Sequence, residues 1–155
     1  MITVSPTDAD AFDRAVRLDI FGRAAETGHV PTAAETAEAL GQPQAAVEEA
    51  LRRLAAARVV ILAPGTTNVW AANPFSAVPS GVRVEARGRT YWGICIWDAL
   101  GIPAALHADA VARAPCGDCG DELVLEVKDG TMARSAGVVH FGVPAARWWE
   151  NIIFT

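Results

Sequence analysis

The sequence predicts an α+β protein, with helices gathered in its first third and short strands around one buried helix in the remainder. Two observations predict this class. Before residue 58 apolar residues recur at helical spacing, as at Phe12, Val16, Ile20 and Ala24, which places them on one helix face. Further along the recurrence shortens to alternation, as at Val82, Val84 and Ala86, the period of a half-buried strand.

The first helix is expected over residues 9–27 and ends at Gly28, a residue suited to a helix C-cap. "PTAAETAEAL" opens a second helix with Thr32 as N-cap three residues before Glu35, a capping-box spacing, and stops at Gly41. A third helix follows in "PQAAVEEALRRLAAAR", with Val47, Leu51 and Leu54 on its buried stripe. "VVILAPGTTNVWAANPF" reads as strand, turn, strand around Pro64 and Gly65. Three helices and a hairpin form a winged-helix-like module over residues 1–75. Residues 73–93 read as a linker running into one strand, and 76–155 as a second module. In that module 95–106 suits a buried helix. "DAVARAPC" and "DELVLEVKDG" alternate as strands around "CGDCG", "AGVVHFGV" reads as a further strand, and "AARWWENIIFT" as a short amphipathic helix entering a strand.

Composition narrows the function classes. The 155 residues are 52% hydrophobic and 20% charged, with five Trp, which describes a folded core rather than a disordered chain. A formal charge of −5 leaves no global basic surface for phosphate, so nucleic acid is not an expected partner. The third helix sets only Arg52, Arg53 and Arg58 against Glu48 and Glu49, weak provision for DNA. No apolar run is long enough to span a bilayer and the N-terminus lacks a signal-peptide layout, so a cytoplasmic location without membrane is expected.

Three cysteines in a reducing compartment point to thiol or metal chemistry rather than a disulfide framework. In "GICIWDALGIPAALHAD" a spacing of three puts Cys95 and Asp98 on one helix face, where a thiol and a carboxylate can share a substrate or a proton. A helix N-terminus at Cys95 is expected to lower its pKa. The plainer reading keeps Cys95 as a small core residue and Asp98 as a capping carboxylate. Cys116 and Cys119 form a CxxC that can chelate zinc or another soft metal, act as a redox dithiol, or merely close a turn with Gly117 and Gly120. A closed zinc site needs four ligands, and only Cys95, His107 and His140 remain to supply them. His29, His107 and His140 each stand alone and read as structural, while Trp148 and Trp149 read as capping the core.

Taken whole, "WGICIWDALGIPAALHADAVARAPCGDCGDELVLEV" resembles the alkylmercury (organomercurial) lyase family. The resemblance implies a winged-helix-like module followed by a catalytic module with a small mixed β-sheet and a buried helix. It also implies protonolysis of a carbon–mercury bond: Cys95 matches the family's mercury-binding cysteine and Asp98 its proton carrier. The residue types suit the task, because soft mercury prefers thiolates while the departing carbanion needs a proton at the same centre. Mercury is then substrate and product ion, no cofactor is required, and the partners are an organomercurial or other soft-metal small molecule and a thiol reductant. Cys116 matches a more structural family residue and Cys119 has no counterpart. The family's second active cysteine is expected at or just after Thr155, outside this sequence, which leaves Cys119 as a possible substitute. Two alternatives accompany this reading: a non-catalytic thiol-based metal-binding or metal-sensing relative, and a winged-helix transcriptional regulator.

Overall fold

The computed structural model describes residues 6–134 and 137–152. Three helices open the chain: α1 (Pro6–Thr27), α2 (Ala33–Leu40) and α3 (Gln44–Ala56). Their boundaries follow the expected punctuation. Gly28 turns left-handed at φ 79° and its N–H reaches the Ala24 carbonyl at 3.0 Å. The Thr32–Glu35 capping box forms in both directions, with the Thr32 N–H donating to Glu35 Oε2 at 2.7 Å and the Glu35 N–H to Thr32 Oγ1 at 3.2 Å. Val16, Ile20, Ala24, Val47, Leu51 and Leu54 are all buried, as their spacing requires.

After α3, strands β1 (Ile61–Leu62), β2 (Val69–Ala72) and β3 (Phe75–Ser76) form a small antiparallel sheet in that order. A second sheet of five strands has the order β5-β4-β6-β7-β8, built from β4 (Val82–Ala86), β5 (Arg89–Gly93), β6 (Ala110–Pro115), β7 (Glu122–Lys128) and β8 (Thr131–Arg134). Helix α4 (Ile96–Leu106) connects β5 to β6 across the intervening β4 and covers one face of that sheet. A 3-10 helix spans Ala145–Glu150.

Three details differ from the sequence reading, and a fourth lies outside the described residues. The segment 73–93 holds β3 and a β4–β5 hairpin rather than a linker and one strand. Its two-residue turn, Arg87 at φ 52° and Gly88 at φ 71°, matches the twist of paired strands, and Arg in that conformation carries no sequence signal. The strand expected over 136–143 is not found among the described residues 137–143; β8 lies earlier, where Asp129 and Gly130 turn at φ 49° and 71° and pair Lys128 with Thr131. This Asp-Gly pair is a strong hairpin signal that the apolar run downstream obscured. Every pairing among the described residues is antiparallel, in place of the mixed sheet expected, because hairpins join the neighbouring strands and the one crossover skips over β4. The strand expected at the end of the sequence falls on residues 153–155, outside the described residues.

One buried cluster runs from the helices into the larger sheet, taking in Val16, Leu51, Phe75, Tyr91, Ile102 and Leu125. At the seam Tyr91, 1% exposed, stacks at 5.9 Å from Phe75 and donates its hydroxyl to the Ala25 carbonyl at 2.9 Å. Gly28 sits so close to β5 that an added Cβ would lie 2.5 Å from the Thr90 carbonyl oxygen. This packing holds the end of β5, and hence the start of α4, in place.

Candidate active site

Cys95 occupies the N-cap of α4 in extended conformation, φ −136° and ψ 174°, two residues beyond the end of β5. Asp98 is the third helical residue and folds its carboxylate back over the helix start. Its Oδ2 accepts from the Ile94 N–H at 2.8 Å and the Cys95 N–H at 3.1 Å, while the Asp98 amide faces the Cys95 sulfur. The pair is therefore a capping box in which cysteine stands where serine or threonine is usual. Gly93 makes the fold-back possible: a Cβ there would lie 2.6 Å from Asp98 Cβ. Asp98 caps the helix, while Cys95 is half-buried rather than a core residue, and the two line one cavity.

The electrostatics correct one expectation. The thiol of Cys95 has its pKa raised, first by burial and then by the negative charge of Asp98, and these outweigh the amides of Asp98 and Trp97 that pull it down. Asp98, 7% exposed, is raised too: burial disfavours its anion more than the Cys95 and Ile94 amides favour it. A buried acid beside a half-buried thiol thus holds its proton more tightly than an exposed aspartate does.

Cys95 and Asp98 face a cavity of about 90 Å³ walled by Trp97, Phe141 and Trp148, with Asn73 at its edge. Phe141 stands edge-on to Trp97 at 6.0 Å and tilted against Trp148 at 5.0 Å, and the Trp148 indole donates to the Val143 carbonyl at 2.7 Å. A groove of about 220 Å³ continues from Cys95 past Ile96, His140 and Gly142. The segment read as a strand over 136–143 instead brings His140 and Phe141 over the start of α4. Sequence reasoning missed Trp97 and Phe141 as site residues and read Trp148 as a core cap; nothing in their spacing signals that three separate segments close on Cys95. Trp149, 37% exposed, lies outside this wall under the Arg58 guanidinium at 5.5 Å.

The remaining candidates sit elsewhere. Cys116 and Cys119 occupy the turn between β6 and β7, Cys116 half-buried and Cys119 exposed. The Cys119 and Asp118 amides and the Cys119 thiol hold the Cys116 pKa below its ordinary value. His29 meets Glu35 at 3.1 Å, and His107 ends α4 in left-handed conformation at φ 47°. Among the described residues no group of three or more His, Cys, Asp and Glu gathers to hold a metal ion.

An acid and a thiol bound into one helix cap beside an aromatic wall, on an α+β frame, define the class of the candidate site. Residues 75–155 match the family model described as MerB, alkylmercury lyase, and the chain belongs to that family. Among solved structures it is similar to the mercury-bound form of MerB2, with 19% identity and a TM-score of 0.60 over 83% of this chain and 67% of that one. At that identity the likeness is one of fold. No curated protein sequence matches the chain.

Proposed function

We propose that this organomercurial-lyase-like protein cleaves carbon–mercury bonds by protonolysis, with Cys95 binding mercury and Asp98 delivering the proton. A single observation carries the assignment: the Asp98 carboxylate accepts the Cys95 amide at 3.1 Å, so the acid and the sulfur are fixed against each other in one cavity. An organomercurial arrives as R–Hg–X. The Cys95 sulfur forms a bond to mercury as its thiol proton passes to Asp98 and X leaves as the anion, and R–Hg–S is left in the cavity. Protonated Asp98 then transfers its proton to the carbon as the C–Hg electron pair leaves with R; the products are R–H, the Asp98 carboxylate and Hg(II) on Cys95. The metal is not oxidised or reduced. Burial suits each step, because the raised Asp98 pKa retains the acid and the apolar wall receives the organic group. A thiol reductant in solution presents the substrate as its thiolate adduct and offers a second ligand to the product ion.

Residues 1–75 act in this reading as a winged-helix-like support for β5 rather than a DNA reader. Arg53 is clamped by Asp13 at 2.7 Å, Arg52 lies 3.8 Å from Glu48, and Arg58 covers Trp149, so α3 turns few free cations outward. Zinc at Cys116 and Cys119 lacks the further ligands that a closed site requires.

The test is one turnover of phenylmercury or methylmercury, with the adduct followed by mass spectrometry and the hydrocarbon by gas chromatography. Wild type gives both, Asp98→Asn keeps the adduct and loses the hydrocarbon, and Cys95→Ser loses both. Equal adduct and equal hydrocarbon from Cys95→Ser would defeat the assignment.

A further inference from the structure

The CxxC turn is left over by this mechanism, and its geometry is more specific than a loop requires. The Gly120 N–H donates to the Cys116 carbonyl at 3.0 Å and the Cys116 N–H to the Asp121 carbonyl at 2.8 Å, so residues 116–120 form one closed helical turn at the tip of the β6–β7 hairpin. In such a turn positions three apart lie on the same side. The turn therefore sets Cys116 and Cys119 on one side of the hairpin tip. Cys116 also borders a groove of about 590 Å³ whose far wall holds Ile96 and His140. Those same two residues line the groove that opens from Cys95.

We propose that Cys116 and Cys119 form a dithiol site for Hg(II) that receives the inorganic ion left at Cys95; the receiving step rests on the function proposed above, the site itself does not. Coordination number decides the metal class. Zinc needs two ligands more than this turn provides, whereas Hg(II) is satisfied by two thiolates, the softest donors a protein offers. The transfer balances without a redox partner. The Cys116 sulfur bonds to the Hg(II) held on Cys95 and displaces the solution thiolate that is the ion's second ligand, which leaves with the Cys116 proton; the Cys119 sulfur then replaces the Cys95 sulfur on the metal, and the Cys119 proton ends on Cys95. Mercury remains divalent, the Cys95 thiol is restored, and the ion rests on a mostly exposed turn from which soluble thiols can take it. His140 and Ile96 are the shared wall along which the two thiol sites communicate.

Mercuric chloride alone tests the site in the full-length chain, without any C–Hg cleavage. Each protein is loaded, dialysed against excess glutathione, and weighed by native mass spectrometry, with thiols counted by iodoacetamide mapping. Cys95→Ser is expected to retain one Hg(II), with Cys116 and Cys119 both protected from alkylation. The double variant Cys116→Ser/Cys119→Ser is expected to lose that retained ion by at least tenfold at equal glutathione, while its Cys95 still takes up methylmercury stoichiometrically and its thermal unfolding transition by circular dichroism, matching wild type, reports that it is folded. Should the double variant not fold, the Cys95→Ser mapping decides alone. Loss of all retained mercury in Cys95→Ser, or retention with Cys116 and Cys119 still alkylated, overturns the proposal. Neither result depends on hydrocarbon release, so failure of the dithiol site and failure of the lyase reading are separately visible.

Discussion

At the scale of single residues, Cys95 and Asp98 behave as one titrating unit. Both pKa values are raised, Cys95 by burial and then by the Asp98 charge, Asp98 by burial. Cleavage needs the thiolate and the carboxylic acid together, which contain one proton between them, as do the thiol and carboxylate. The population of the active pair is therefore constant between the two pKa values and falls on either side. We expect the single-turnover rate to show a flat top that begins above the ordinary aspartate value of 3.8 and declines only beyond the ordinary thiol value of 9.0. In Asp98→Asn the residual rate should instead rise with thiolate alone. The same shifts bear on stability. The folded chain binds Asp98's proton more tightly than the unfolded chain, so the carboxyl's contribution is greatest below 3.8 and is lost as pH rises through its raised folded value. Urea denaturation across that window should show a shallower decline for Asp98→Asn than for wild type.

At the scale of elements, close approaches hold the site. Gly93 ends β5 with its α-carbon facing Asp98, and Val82 Cγ1 would lie 3.3 Å from an added Cβ. Gly93→Ala must displace Asp98 or the strand, and we expect a loss of about 1–3 kcal/mol by thermal unfolding with a matching fall in hydrocarbon release. The C-terminal end of α4 is held by the Arg87 guanidinium, which donates to the Leu106 carbonyl from the β4–β5 turn. The α2 cap is a control far from this chemistry. Thr32→Ala should cost about 1 kcal/mol in urea denaturation without altering mercury capture. It should raise Glu35 only part of the way from about 2, since it removes the Thr32 hydroxyl but keeps the residue 32 amide, the largest cause of that shift. That carboxylate's contribution is present above 4.5 and lost as pH falls towards 2.

At the scale of the whole molecule, the helical third and the sheet share one core, and the expected boundary at 75/76 falls within β3. Removing the seam hydrogen bond by Tyr91→Phe should cost about 1 kcal/mol, and calorimetry should still show one transition rather than two. The end of α1, the caps of α2, the stripe of α3 and the buried run of α4 were legible because each depends on contacts within a few residues along the chain; α1 itself starts three residues earlier than expected. The β4–β5 turn was not, because Arg87 accepts a left-handed conformation that only strand pairing enforces.

The sequence by itself determined the α+β class, the position of Cys95 at a helix start and its spacing from Asp98, since capping and helical periodicity are local. The tertiary structure alone decided that Asp98 is buried and Cys95 half-buried, that the thiol is harder rather than easier to ionise, and that Trp97, Phe141 and Trp148 line the cavity they face. Burial depends on which distant segments arrive at a site, and that is settled by the packing of the whole chain.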